Sequence, residues 1–196
     1  MLRESALQYL KTRDAKVGET VQLGWFVFRI IEGQVGIDLE SLDFRALASF
    51  TSDFRIAEQI HWAQNETLRL LGVDELACTL TDPALVSRSY RPGGENTFIE
   101  RCSPTSDTDC GWYVGVVDES LDINDADSFV HQSLYELTIR DERFARFWLL
   151  PVGYRIYFDG DEPRIEEVEQ AVAHQRAISS AITFQTLFQS RPWADI

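Results

Sequence analysis

Gly111-Trp112-Tyr113-Val114-Gly115-Val116-Val117 and, further along, Tyr154-Arg155-Ile156-Tyr157-Phe158 decide how this chain is read. Both runs are rich in β-branched and aromatic residues, which suit a pleated, half-buried surface, so each predicts a strand. The segment between them has a different rhythm. Asp118 to Asp127 is an acidic loop. Phe129 to Ile139 places Val130, Leu134 and Leu137 on one face and predicts a helix. A second helical turn runs through Phe144, Phe147 and Trp148, and Pro151-Val152-Gly153 stops it. Residues 105–165 therefore read as strand, acidic loop, helix and returning strand, with the two runs in one sheet.

On the N-terminal side, residues 2–13 put Leu2, Ala6, Tyr9 and Leu10 on one helical face, and Gly18 ends that segment. Thr20 to Ile31 is apolar on both faces and predicts one central strand. Glu32-Gly33 turns the chain into the alternating Val35, Ile37 and Leu39, a hairpin partner. Residues 53–71 carry the stripe Phe54, Ala57, Ile60, Gln64, Leu68 and Leu71, with Ser52 or Asp53 to cap the start and Gly72 to close the end. Leu85 to Arg91 and Thr97 to Cys102 predict short strands flanking the turn Pro92-Gly93-Gly94-Glu95. On the C-terminal side, Asp159-Gly160-Asp161-Glu162-Pro163 is a second acidic turn. Ile165 to Gln189 then follows helical spacing, with Glu166, Glu167 and Glu169 near the positive end of the helix dipole. The expected fold is α+β, a mainly antiparallel sheet with flanking helices and a C-terminal helix. The polar stretch Ser103 to Asp109 suggests a division into 1–104, 105–165 and 166–196, with the last segment packing on the others.

Composition narrows the function. The chain has 196 residues, 44% of them hydrophobic, enough for a substantial core. Its formal charge is −14, distributed as net −4 over residues 1–104 and net −10 over 105–196. Such a field disfavours nucleic acid and anionic membranes and favours a basic partner. The apolar runs Trp25–Phe28 and Phe147–Leu150 are far too short to span a bilayer. The first five residues show no signal peptide, which predicts a cytoplasmic location. Cys78, Cys102 and Cys110 are odd in number and lack a C-x-x-C, so free thiols are expected, with a Cys102–Cys110 bridge as the alternative.

The common chemistries leave no signature. His61, His131 and His174 are the three histidines, and none lies beside a nucleophile elbow, in H-E-x-x-H, or near a P-loop or G-x-G-x-x-G. The run from Asp118 to Asp127 is rich in oxygen ligands, but counting from Asp122 the calcium-loop pattern meets Asp127 where Gly is needed and Ser133 where Glu is needed. No catalytic residue, metal or cofactor is expected. An enzymatic alternative, a hydrolase using Asp118 and Glu119 with His131, lacks any nucleophile–base spacing. An acidic adaptor of a secretion complex is a third reading.

One resemblance points to a function. Gly111-Trp112, the pair Asp118-Glu119, Tyr135-Glu136-Leu137-Thr138-Ile139 and Leu149-Leu150-Pro151-Val152-Gly153 into Tyr154 to Phe158 resemble, in that order, the Immunity protein 33 domain family of bacterial toxin-neutralising proteins. Cys110 departs from the small polar or acidic residue usual before the Gly-Trp. The resemblance implies a non-enzymatic immunity protein that occludes one cognate toxin, such as a nuclease effector of a type VI secretion system. The residues add a compatible mechanism. Asp118, Glu119, Asp122, Asp125 and Asp127, with Asp159, Asp161 and Glu162, would form an acidic surface facing a basic toxin. Trp112 would anchor the interface if its edge is exposed. The two acidic loops share an edge only if their strands run parallel. Self-association is left open by the sequence.

Overall fold

The computed structural model of the chain describes residues 2–104, 109–117 and 126–168. The fold is α+β. Helix α1 spans Leu2–Leu10 and α2 spans Arg55–Leu71, and strands β1 to β4 are Thr20–Leu23, Phe26–Gly33, Gly36–Leu42 and Phe50–Thr51. Strands β5 to β7 are Pro83–Ser87, Thr97–Arg101 and Trp112–Val116, followed by β8 (Phe129–Ser133) and helix α3 (Leu134–Arg140). A 3-10 segment at Glu142–Phe147 precedes β9 (Tyr154–Phe158) and β10 (Arg164–Glu167). One sheet has the order β1-β2-β3-β4 and the other β10-β9-β6-β7-β5-β8. Every pairing is antiparallel except that of β5 with β7. The chain forms two compact units, residues 1–81 with 134–149, and residues 82–133 with 150–196.

In the first unit, α2 forms as its stripe requires. Ala57, Ile60, Gln64 and Leu68 are buried, and Gly72 closes the helix at φ 67°. The Asp53 carboxylate accepts the Arg55 backbone N–H at 3.1 Å and the Arg55 guanidinium at 2.8 Å. Thr20 to Ile31 is two strands, not one. Gly24, at φ 59°, and Trp25 make a two-residue turn, so Leu23 faces Phe26 across a hairpin. Val35 lies at the tip of the next turn and is 99% exposed, while Leu39 is buried. The segment 134–149 is tied in by hydrogen bonds. Gln64 Nε2 donates to the Ala145 carbonyl at 3.0 Å, and Leu76 N to that of Leu149 at 3.0 Å. The Tyr135 hydroxyl donates toward the carbonyls of Asp43 at 2.9 Å and Ala46 at 3.0 Å. Trp148 is fully buried and gives its indole N–H to Thr138 Oγ1 at 2.9 Å.

The Arg55 guanidinium beside Asp53 holds that carboxyl at about 2. Arg3 and Arg45 likewise hold Asp38 and Asp43 below the usual carboxylate range. A depressed folded-state pKa stabilises the fold above the unfolded value, near 3.9 for aspartate, and that contribution is lost as pH falls toward the folded value. Asp53 is partly exposed, so solvent screening keeps its share small. Stability measured by urea unfolding should therefore decline between about pH 4 and pH 2, and Asp53→Asn should flatten that decline without changing the neutral-pH plateau by more than about 1 kcal/mol.

The second unit holds both strand-forming runs, Gly111 to Val117 and Tyr154 to Phe158. β7 and β9 lie in the same sheet with β6 between them. Three expectations change. Phe129 to Ser133 is a strand, paired with β5 from Pro83↔Ser133 to Ser87↔Phe129, and the helix begins only at Leu134. Val130 and His131 gain a ladder there that the helical count could not foresee. Arg164–Glu167 likewise pairs with β9 as a strand, so the expected last helix does not begin at Ile165; its remainder, from 169, lies outside the described residues. The strand expected over Leu85 to Arg91 begins earlier, at Pro83, and ends at Ser87. β5 and β6 are not neighbours, because β7 separates them.

Candidate functional site

Strand direction determines where the acidic residues fall. β6 is antiparallel to both β7 and β9, so β7 and β9 run the same way. β5 is parallel to β7, and β8 and β10 are antiparallel to their neighbours. The segments after β5, β7 and β9, and those before β6, β8 and β10, therefore leave one common edge of the sheet. That edge carries Asp159, Asp161 and Glu162 in the β9–β10 turn, all exposed, and Glu95 ahead of β6. Asp127, exposed, sits in a 3-10 turn just before β8. Asp118, Glu119, Asp122 and Asp125 follow β7 in sequence and lie outside the described residues.

The edge is not uniformly acidic. Arg88 Nε donates to the Asp127 carbonyl at 2.5 Å, and Arg91 Nη1 donates to the carbonyls of Arg88 and Tyr90 at 2.7 and 2.8 Å. Arg164 pairs with Asp159 at 3.0 Å and also with Glu166. Arg88 and Arg91 are not legible at this edge from the sequence because Leu85 to Arg91 reads as one strand. The chain leaves the ladder after Ser87, which brings Arg88 and Arg91 to the edge.

The opposite edge is tightly built. Arg101, 2% exposed, ends β6 with Nε on the Cys110 carbonyl at 3.2 Å and Nη1 on the Leu150 carbonyl at 2.7 Å. Its guanidinium lies over the Trp112 ring, 5.6 Å from the centroid. Gly153 N donates to the Arg101 carbonyl at 2.8 Å, and Val168 N to that of Gly153 at 2.6 Å. Gly111 sits at φ 79°, and its Cβ, if it had one, would overlap the Cys102 carbonyl oxygen. Trp112 is 1% exposed. It is a core residue, and the condition on which it would anchor an interface is not met. Cys110 is buried, its thiol pushed up by desolvation and donating to the Pro83 carbonyl at 3.1 Å. The three cysteines are free thiols, with no Cys102–Cys110 bridge.

Little here suggests chemistry. His131 lies mid-strand opposite Leu85, away from the edge that carries Asp127. Among the described residues, no group of three or more His, Cys, Asp or Glu could hold a metal ion. No helix among them is long and apolar enough to cross a membrane.

Comparison with known proteins gives one finding. Neither the curated proteins nor the solved structures contain a match to the chain. A family model described as the Imm33-like domain matches residues 63–171, more than half the chain. The match takes in most of α2 and every strand of the six-stranded sheet. The chain belongs to the Imm33-like domain family.

Proposed function

We propose that the chain is a cytoplasmic immunity protein that binds one cognate bacterial toxin and blocks it without chemistry. The observation that carries this reading is the family match over residues 63–171. Charge supports the mechanism. The chain is −14 overall, and among the described residues Asp159, Asp161 and Glu162 of the β9–β10 turn lie at the same sheet edge as Asp127. A surface of that sign steers a basic protein toward it and raises the association rate. Nuclease effectors of secretion systems have basic clefts and fit this description. Speed matters here, because free toxin kills the cell that makes it.

Co-expression with the product of the neighbouring gene should restore the bacterial growth that this product alone arrests, and failure to do so would remove the reading. The charge mechanism has its own test. Reversing Asp122, Asp125 and Asp127 to Lys, or Asp159, Asp161 and Glu162 to Lys, should slow association by about tenfold at low salt and much less at physiological salt. Unchanged association kinetics in folded variants would leave the acidic residues as a solvated surface only.

A further inference from the structure

The two faces of the six-stranded sheet differ sharply. On one face Val86, Ile99, Val114, Ile156 and Phe158 are buried. On the other, register brings together a row of rings. Tyr157 pairs with Phe98, Phe98 with Gly115, and Leu85 with Tyr113. Phe98 and Tyr113 meet edge-to-face at 5.6 Å, as do Tyr113 and Phe129 at 6.1 Å, while Phe98 and Tyr157 lie tilted at 6.0 Å. Four rings from four strands thus form one continuous strip. Gly115 makes this possible. A Cβ there would lie 2.6 Å from the Phe98 ring and 2.8 Å from that of Tyr113, so the rings fold down over the bare backbone. Leu85, 36% exposed, extends the strip. The unit's described elements are six strands and one 3-10 turn, so no described helix of this unit covers the face.

The charges on this face are already matched. Arg155 bonds Glu100 through Nε at 2.8 Å and Nη2 at 2.5 Å and lies over Phe98 at 5.2 Å. Arg164 lies over Tyr157 at 4.1 Å while paired with Asp159. The four rings are half-buried, and the part they leave outward is aromatic surface of fixed orientation, which loses little side-chain entropy on being covered. The strip runs into the acidic edge. Tyr157 is two residues before Asp159, and Phe129 two after Asp127.

We propose that this strip, centred on Phe98, Tyr113 and Tyr157 with Leu85 beside them, is the seat of the basic toxin, and that the acidic edge is its steering rim. The proposal rests on the immunity reading. Aromatic anchors inside a charged rim are how tight protein interfaces concentrate their energy. Charge selects the occupant. A second copy would bring another −14 surface against this one, and nucleic acid carries the same sign, whereas a basic protein complements the rim.

The test uses the full chain and, as probe, the purified product of the neighbouring gene, catalytically inactivated. Leu85→Gln and Tyr113→Ser together should speed dissociation by about 30-fold or more while association changes by less than about threefold. Tyr113→Phe, which keeps the ring, should stay within about threefold of the parent chain. Unchanged dissociation in a double variant that melts like the parent would overturn the seat, and the immunity reading would survive if co-expression still protects. Sedimentation showing a dimer that Leu85→Gln dissolves would also overturn it, placing a second copy on the strip. No binding or protection by the parent chain would overturn the immunity reading and this proposal together.

Discussion

Gly111→Ala should destabilise the second unit by about 3 kcal/mol or more, read as a fall in the urea midpoint. Two costs coincide. Gly111 sits at φ 79°, a left-handed conformation that costs an L side chain about 1–2 kcal/mol. Its Cβ would also overlap the Cys102 carbonyl oxygen. That oxygen is backbone at the end of a paired strand, and Cys102 N donates to the Gly111 carbonyl at 2.8 Å. No rotamer change can relieve the overlap. The chain must move instead, and the register of β6 against β7 moves with it. Gly36→Ala, also at positive φ but with open space where the Cβ would go, is the control and should cost only about 1–2 kcal/mol.

Arg101→Ala should cost about 3–5 kcal/mol, because it strips a charged donor from two buried carbonyls at once. The Cys110 and Leu150 carbonyls lose their guanidinium bonds, and Trp112 loses the cation over its ring. Arg101→Lys should recover only part. A single ammonium cannot present the planar fork that reaches both carbonyls. For a chain of this length such a loss lowers the melting temperature by roughly 10 °C. A change of under about 1 kcal/mol for the alanine variant would mean that water replaces the guanidinium, and the edge would then be less dry than its burial implies.

These two sites explain what was legible in the sequence. Four of the residues that carry the family resemblance, Gly111, Trp112, Leu150 and Gly153, gather at one edge of the sheet around Arg101. They record how that edge of the sheet is built, so the family and the two strands β7 and β9 could be read from local pattern. Arg101 itself could not, since nothing near it in sequence says that it is buried. The Phe129 to Ser133 strand was missed for a related reason. Its Val130 fits a helical stripe with Leu134 and Leu137, and only the pairing with β5 decides against it. Trp112 looked like an anchor because an aromatic residue beside acidic ones invites that reading, whereas the alternation along β7 turns it inward. The aromatic strip needs three registers at once, which no single run of residues displays. The directions of β7 and β9 are a further case, because they follow from β6 lying between them.

The discontinuous first unit has a consequence for synthesis. Residues 134–149 supply Tyr135, Ala145 and Trp148 to a unit otherwise finished at residue 81. A chain emerging from the ribosome must therefore wait for residues 82–149 before that unit can close, a delay of roughly 3–14 s at about 5–20 residues per second. During that interval α2 lacks the Ala145 carbonyl that receives its buried Gln64, and strands β5 to β8 are made before the first unit is complete. Neither unit can be cut out as an uninterrupted fragment, and the family match, which begins inside α2, is not one either. Nascent-chain arrest before residue 134 should leave the N-terminal residues protease-sensitive, and arrest well past 168 should protect them.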